Sequence, residues 1–211
     1  MADLRIGTYG SYYGSTWGTS EHLSTSEMEA NVTYIYKYLS AKGWTKNAVC
    51  ALCGNMQAES SINPGRWQSE DIGNMSMGYG LVQWTPATKY INWCSEQGFS
   101  DPSEMDNNLA RIVYEVEQNI QWIYSGMTFK EFSTSTKSVE ELATLFLLKY
   151  ERPADQSESV QAYRGSLARN WLNHLEGVEP SEPSEPDTPV EPGTIKKKKL
   201  SKLLMYAVAT D

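Results

Sequence analysis

Basic residues are too few here for a chain built to hold nucleic acid. Lys and Arg number 18 against 26 Asp and Glu, for a formal charge of −8 at pH 7. Phosphate contact demands basic surface, so no nucleic-acid partner is expected. No apolar run reaches the ~20 residues that span a bilayer. Residues 1–20, rich in Gly, Ser and Tyr, lack a continuous apolar stretch, so no signal peptide is expected. Histidine is confined to His22 and His174, and cysteine to Cys50, Cys53 and Cys94. Cys50 and Cys53 form a lone C-x-x-C inside a helical apolar pattern, with no second pair or nearby His to complete a zinc site. The three thiols read as small buried core residues, in keeping with synthesis in a reducing host cytoplasm. Neither a metal nor a cofactor is called for, and no internal repeat is found.

Large apolar side chains are plentiful. Thirteen Tyr, seven Trp and eight Met lie almost entirely before residue 178, enough for one core of about 150 residues. Residues 1–23 read as an irregular arm. The spacing of Ser26 and Glu29 predicts a capping box, followed by Met28, Val32, Ile35 and Leu39 on one helical face; Gly43 is the expected stop. Thr45 caps a second helix carrying Ala48, Val49, Leu52, Cys53 and Met56, which should run out near Ser60 before the Asn63-Pro64-Gly65 breaker. Residues 61–83, with Gly73, Gly78 and Gly80 among polar residues, predict a loop and a small hairpin, the one place where β structure is expected. Thr85-Pro86 predicts a helix start. Further helices are expected over about 106–124, after a Ser138/Glu141 capping box, and from Val160 through Tyr163, Leu167 and Trp171 to Gly177. The fold class is α+β and mostly α.

At Val178 the composition changes. Residues 178–195 are acidic and Pro-rich, with Glu179, Glu182, Glu185, Asp187 and Glu191 unaccompanied by basic residues until Lys196. Such a stretch cannot pack a core and favours extended polyproline geometry, spanning roughly 45–50 Å for ~16 residues. Residues 196–211 then read as a short basic and apolar helix, with Lys196–Lys199 ahead of Leu200, Leu203 and Leu204.

The chemistry concentrates in Gly54-Asn55-Met56-Gln57-Ala58-Glu59-Ser60 and Gly78-Tyr79-Gly80-Leu81-Val82-Gln83-Trp84. Glu59 falls at the C-terminal end of a helix with an apolar inner face. The negative end of the helix dipole and apolar burial both disfavour a charged carboxylate. A protonated acid is what breaking a glycosidic bond requires, since the leaving oxygen must receive a proton. By position alone, Glu59 reads as an ordinary exposed charge in a last turn; the wider constellation of motifs reverses that reading.

These segments together resemble the phage tail lysozyme family, in particular the N-terminal muramidase part of tail-tip proteins from small short-tailed phages of Gram-positive hosts. The resemblance covers roughly residues 26–175. It rests on Gly43-Trp44-Thr45-Lys46, the Gly54–Ser60 run, Ile62-Asn63-Pro64-Gly65, Gly80-Leu81-Val82-Gln83-Trp84-Thr85-Pro86 and Tyr150-Glu151-Arg152-Pro153. It implies a lysozyme-like domain over residues 24–177, with the small hairpin lining a cleft. It also implies cleavage of the β-1,4 bond between N-acetylmuramic acid and N-acetylglucosamine in peptidoglycan, and it carries Glu59 over as catalytic acid. Gln83 would bond sugar amide or hydroxyl groups, or be a satisfied buried amide. Ser60, Tyr79, Trp67 and Tyr150 are further cleft candidates, whereas Trp84 is expected in the core. Asp71 is the first choice for the second carboxylate and Glu70 the next, with loop solvation as their alternative role. Glu151 and Arg152 could orient the acid or grip a sugar, but read rather as a structural ion pair ended by Pro153. Some relatives in the wider superfamily use one acid and form an anhydro sugar, so a lytic transglycosylase stays open, as does a non-catalytic tail or wall-binding protein.

The tail-tip relatives carry a zinc-dependent endopeptidase domain after the muramidase; the two separated histidines here do not supply one. The implied location is the virion, at the tail tip. Residues 196–209 are expected to dock in a tail tube or knob protein, or alternatively to lie on a membrane surface, where Lys beside apolar faces suits anionic lipid.

Overall fold

The computed structural model describes residues 2–15 and 20–182. The acidic linker and the basic–apolar C-terminal segment fall almost wholly outside the described residues. Within them the chain forms a two-stranded sheet, β1 (Asp3–Gly7) and β2 (Gly10–Gly14), and seven helices. The helices are α1 (Thr25–Ser40), α2 (Lys46–Ser60), α3 (Thr88–Glu96), α4 (Met105–Gln118), α5 (Phe129–Ser133), α6 (Val139–Phe146) and α7 (Glu158–His174). A π-helical turn, Leu147–Glu151, follows α6. The α+β, mostly helical class is therefore present, but the sheet is not where the sequence pattern placed it.

The expected hairpin within 61–83 is a loop with a short 3-10 turn and single bridges pairing Trp67 with Tyr79 and Tyr79 with Trp84. The strands lie instead in the supposed irregular arm, antiparallel with Asp3 opposite Gly14 and Gly7 opposite Gly10. Their stability is tertiary. Arg5 meets Asp101 at 2.6 Å, Asn31 accepts from Tyr13 N at 2.6 Å, and Asn63 accepts from Ser15 N at 3.0 Å. A Gly-, Ser- and Tyr-rich pair with exposed Leu4 and Ile6 shows little apolar alternation to read.

Helix α2 is the hub. Thr45 caps it by accepting from Ala48 N, and its stripe from Ala48 to Met56 is buried against α1, α6 and α7. It stops at Ser61, which adopts φ 54° and closes the helix by donating to Gln57 O, so Glu59 is the second-last helical residue. Cys50, Cys53 and Cys94 are free and buried, and burial pushes the Cys50 thiol up to about 12 and the Cys94 thiol up to about 11.

Several boundaries differ from expectation. The first capping box is Ser24 with Glu27, two residues earlier than the Ser26/Glu29 pair. Helix α3 starts at Thr88 rather than at Pro86. Helix α4 ends at the left-handed Asn119, leaving Ile120 and the exposed Ile123 beyond it. Tyr163, expected in the core, is exposed on α7. Helix α5, capped by a Thr128/Glu131 box, was not anticipated, whereas the Ser138/Glu141 box of α6 is formed as expected.

Candidate active site

A polar groove of about 520 Å³ opens beside the end of α2, lined by Glu59, Gln83, Arg66, Glu151 and Arg152 among others. The residues named reach it from three directions. Glu59 comes from the last turn of α2. Arg66 and Gln83 come from the loop between α2 and α3. Glu151 and Arg152 come from the π-turn and its cap. Behind them, Arg164 reaches Glu59 from α7.

Glu59 is partly exposed, and its Oε1 accepts from Arg164 Nη2 at 2.6 Å. Arg164 is itself buried and donates through Nη1 to Asn55 O at 2.7 Å, inside α2. One guanidinium thus ties helix backbone and carboxylate together. This corrects the expectation of apolar surroundings: the acid sits on a cation, with the groove open on its other side. A charge-assisted bond of this kind fixes direction as well as position.

Gln83 adopts φ 50° and is held by its own amide, which donates to Gly80 O at 2.8 Å and Arg66 O at 3.1 Å. Its Oε1 is buried without a hydrogen-bond partner among the described residues, as are Arg66 Nε and Glu151 Oε1. Three residues lining one groove therefore each carry an orphaned polar atom. Buried polar groups are normally satisfied, so the arrangement suits a ligand rich in amides and hydroxyls.

Glu151 is the perturbed group. Burial first, and the nearby Glu59 charge second, hold its carboxyl well above the usual carboxylate range, while Arg164 opposes them. The π-turn delivers it: Arg152, at φ 51°, donates its N–H back to Leu147 O at 2.7 Å. Such turns are frequent at functional sites. Of the two roles the sequence left to Glu151 and Arg152, the favoured structural pair is corrected, since both line the groove and no ion pair joins them among the described residues.

The remaining candidates lie elsewhere. Ser60 is buried, donating to Leu81 O at 2.8 Å and Met56 O at 3.1 Å, and staples the loop to α2. Trp67 and Tyr79 are fully buried against each other, with ring centroids 4.5 Å apart, and Tyr79 continues through Tyr90 to Trp84. Tyr150 is buried and donates to Glu115 Oε2, not to the groove. Trp84, expected in the core, is there, donating to Glu115 at 3.0 Å. Asp71 is exposed, accepts from Asn74 at 2.6 Å and does not line the groove. Glu70 faces a separate cavity beside His22. Of the candidates named from sequence, the structure brings together Glu59 and Gln83. Arg66 and Arg164 were missed, and Glu151, which the sequence offered as a residue that could orient the acid, was assigned to a structural pair instead.

A carboxyl group at a helix end, a cation behind it and unpaired amide-binding atoms around it suit acid–base work on a carbohydrate. The phage tail lysozyme family matches residues 30–175, and the chain belongs to that family. Over 162 residues it is 52% identical to morphogenesis protein 1 of Bacillus phage B103, a match covering 76% of this chain and 43% of that relative. The chain therefore spans less than half the length of the relative it matches.

Proposed function

We propose that this chain is a virion-associated muramidase, which cleaves the β-1,4 bond between N-acetylmuramic acid and N-acetylglucosamine. It would open a Gram-positive wall locally, at the phage tail tip, during genome delivery. The observation that carries the reading is Glu59, fixed by Arg164 at 2.6 Å at the lip of a groove whose other walls hold unpaired amide-binding atoms. Family membership supplies the lysozyme class, and the similarity to a morphogenesis protein of a Bacillus phage supports a virion component acting on such a wall. Glu59 gives a proton to the bridging oxygen as the bond breaks, and Gln83 and Arg66 hold the sugars. Clearing of purified Gram-positive walls by the full chain tests this: Glu59→Gln should abolish clearing. Equal clearing by both proteins would overturn the assignment and leave a wall-binding or structural role.

One observation favours a second reading, lytic transglycosylase action on the same bond. Asp71 lies outside the groove, and the carboxyl that lines it beside Glu59, Glu151, is held well above the usual carboxylate range by burial. The two reactions share Glu59 and differ in their products. Residues 196–209 would seat the enzyme in a tail tube or knob protein; deleting 195–211 should spare wall clearing but remove the protein from purified tails.

A further inference from the structure

Glu59 and Glu151 are the carboxyl groups that line the groove among the described residues. Nothing in the reading above uses Glu151. Its Oε1 is buried and unpartnered, and the π-turn that carries it ends in a left-handed residue that turns the chain at the groove wall. A carboxyl that shares the groove with an acid and leaves a buried oxygen unpartnered is an unusual use of buried space.

We propose that Glu151 is the second carboxyl of the site, a positioning residue that stores the proton which Glu59 delivers to the sugar bridge. The inference rests on the glycosidase reading of Glu59. The charged groups in electrostatic reach of Glu151 are Glu59 on α2, Arg164 on α7 and Glu115 on α4. Arg66, Lys89 and Arg152 line the same groove. Glu115 is already engaged by Arg111, Trp84 and Tyr150. Two ionised carboxylates around one guanidinium leave an excess negative charge, and one added proton cancels it, which a buried site favours. Arg164 bonds Glu59, and Glu59 keeps its access to the groove. The proton therefore rests on Glu151, whose Oε1 is buried and unpartnered and whose carboxyl is held well above the usual range by burial.

The steps balance without further reagents. The proton leaves Glu151 for the Glu59 carboxylate, and Glu59 passes it to the bridging oxygen. The C1–O bond breaks with its electron pair going to that oxygen. Glu151 is left as a carboxylate within reach of Arg164. Water, or the sugar's own C6 hydroxyl in the transglycosylase case, adds its oxygen to C1 and releases a proton, which returns to the pair.

The test uses the full chain on soluble peptidoglycan fragments, with Glu151→Gln, Glu151→Asp and Glu59→Gln. Glutamine keeps the shape of Glu151 but has no proton to give. Glu151→Gln should lower kcat about tenfold or more with KM nearly unchanged. The upper edge of its activity–pH profile should move down by about one unit, and Glu151→Asp should restore that edge. Wild-type kcat and profile in Glu151→Gln, or a loss confined to KM, would overturn the proposal. Full activity in Glu59→Gln would instead overturn the glycosidase reading itself. Should Glu151→Gln not fold, carbon-13 spectra of the glutamate carboxyls in the otherwise unaltered protein decide. One carboxyl protonated at neutral pH, whose titration moves down in Glu59→Gln, is expected; its absence refutes the proposal.

Discussion

Replacing Gly54 by alanine sets two effects against each other. Gly54 lies mid-way along α2, facing Ala168 of α7. A Cβ there would stand 2.7 Å from Ala168 N, 2.8 Å from its Cβ and 2.9 Å from its Cα, where ordinary contact begins at 3.4 Å. Two of those atoms are backbone, so no side chain can swing aside, and the helices must part by several tenths of an ångström. Alanine stabilises a helix interior by about 1 kcal/mol relative to glycine. Overpacking a tight contact costs about 1–3 kcal/mol, and three simultaneous overlaps argue for the upper end. The net expectation is a loss of about 2 kcal/mol, or a Tm lower by about 4–8 °C for a domain of this size. Activity should fall as well, because Ala168 is one helical turn beyond Arg164, whose guanidinium holds Glu59. Thermal melts followed by circular dichroism, with wall clearing measured at a temperature where both proteins are folded, read the two effects separately. Adding Ala168→Gly relieves the Cβ contact and leaves the backbone ones, so it should recover only part of the stability. A Gly54→Ala protein as stable as the parent, or more so, would refute the close-packing account of α2 and α7.

Two other outcomes follow from buried charge. Glu115 accepts from Arg111 at 2.8 Å, from Trp84 at 3.0 Å and from Tyr150. Glu115→Ala strands three buried donors and should cost about 3–5 kcal/mol, lowering the Tm by roughly 6–20 °C; Glu115→Gln should lose less, and a melt unchanged by Glu115→Ala contradicts the network. The folded Glu151 carboxyl is raised above its ordinary value of 4.5, so from there upward the native state binds more protons than the unfolded one. Its contribution is therefore present at low pH and lost as pH rises through the folded value. Stability should decline with pH in that window, and Glu151→Gln should flatten the decline; parallel Tm–pH curves for the two proteins would contradict the assignment.

Local signals survived the passage from sequence to structure, and long-range ones did not. The Ser138/Glu141 box and the Thr45 cap need only neighbouring residues, and both are formed. In Ser24-Thr25-Ser26-Glu27-Met28-Glu29 two boxes fit the same spacing, and only the folded entry of the chain selects Ser24. Glu59 and Gln83 were legible because a helix end and a glycine-marked turn place them. Arg164, 105 residues from Glu59, carries no local mark of its role. Tyr150 was misplaced for the same reason. Its hydroxyl faces Glu115, 35 residues away, so a side chain adjacent to groove residues points into the core. The hairpin at residues 3–14 was invisible because Arg5, Asn31 and Asn63 anchor it from outside.

Mass spectrometry of the fragments released from purified Gram-positive wall reads the central claim, proton donation by Glu59 to a sugar bridge. The account predicts glycan fragments newly ended at N-acetylmuramic acid, as a reducing end or lighter by one water as an anhydro end, and none from Glu59→Gln. The same fragments released by Glu59→Gln, or products with intact glycan and severed peptide, would contradict it.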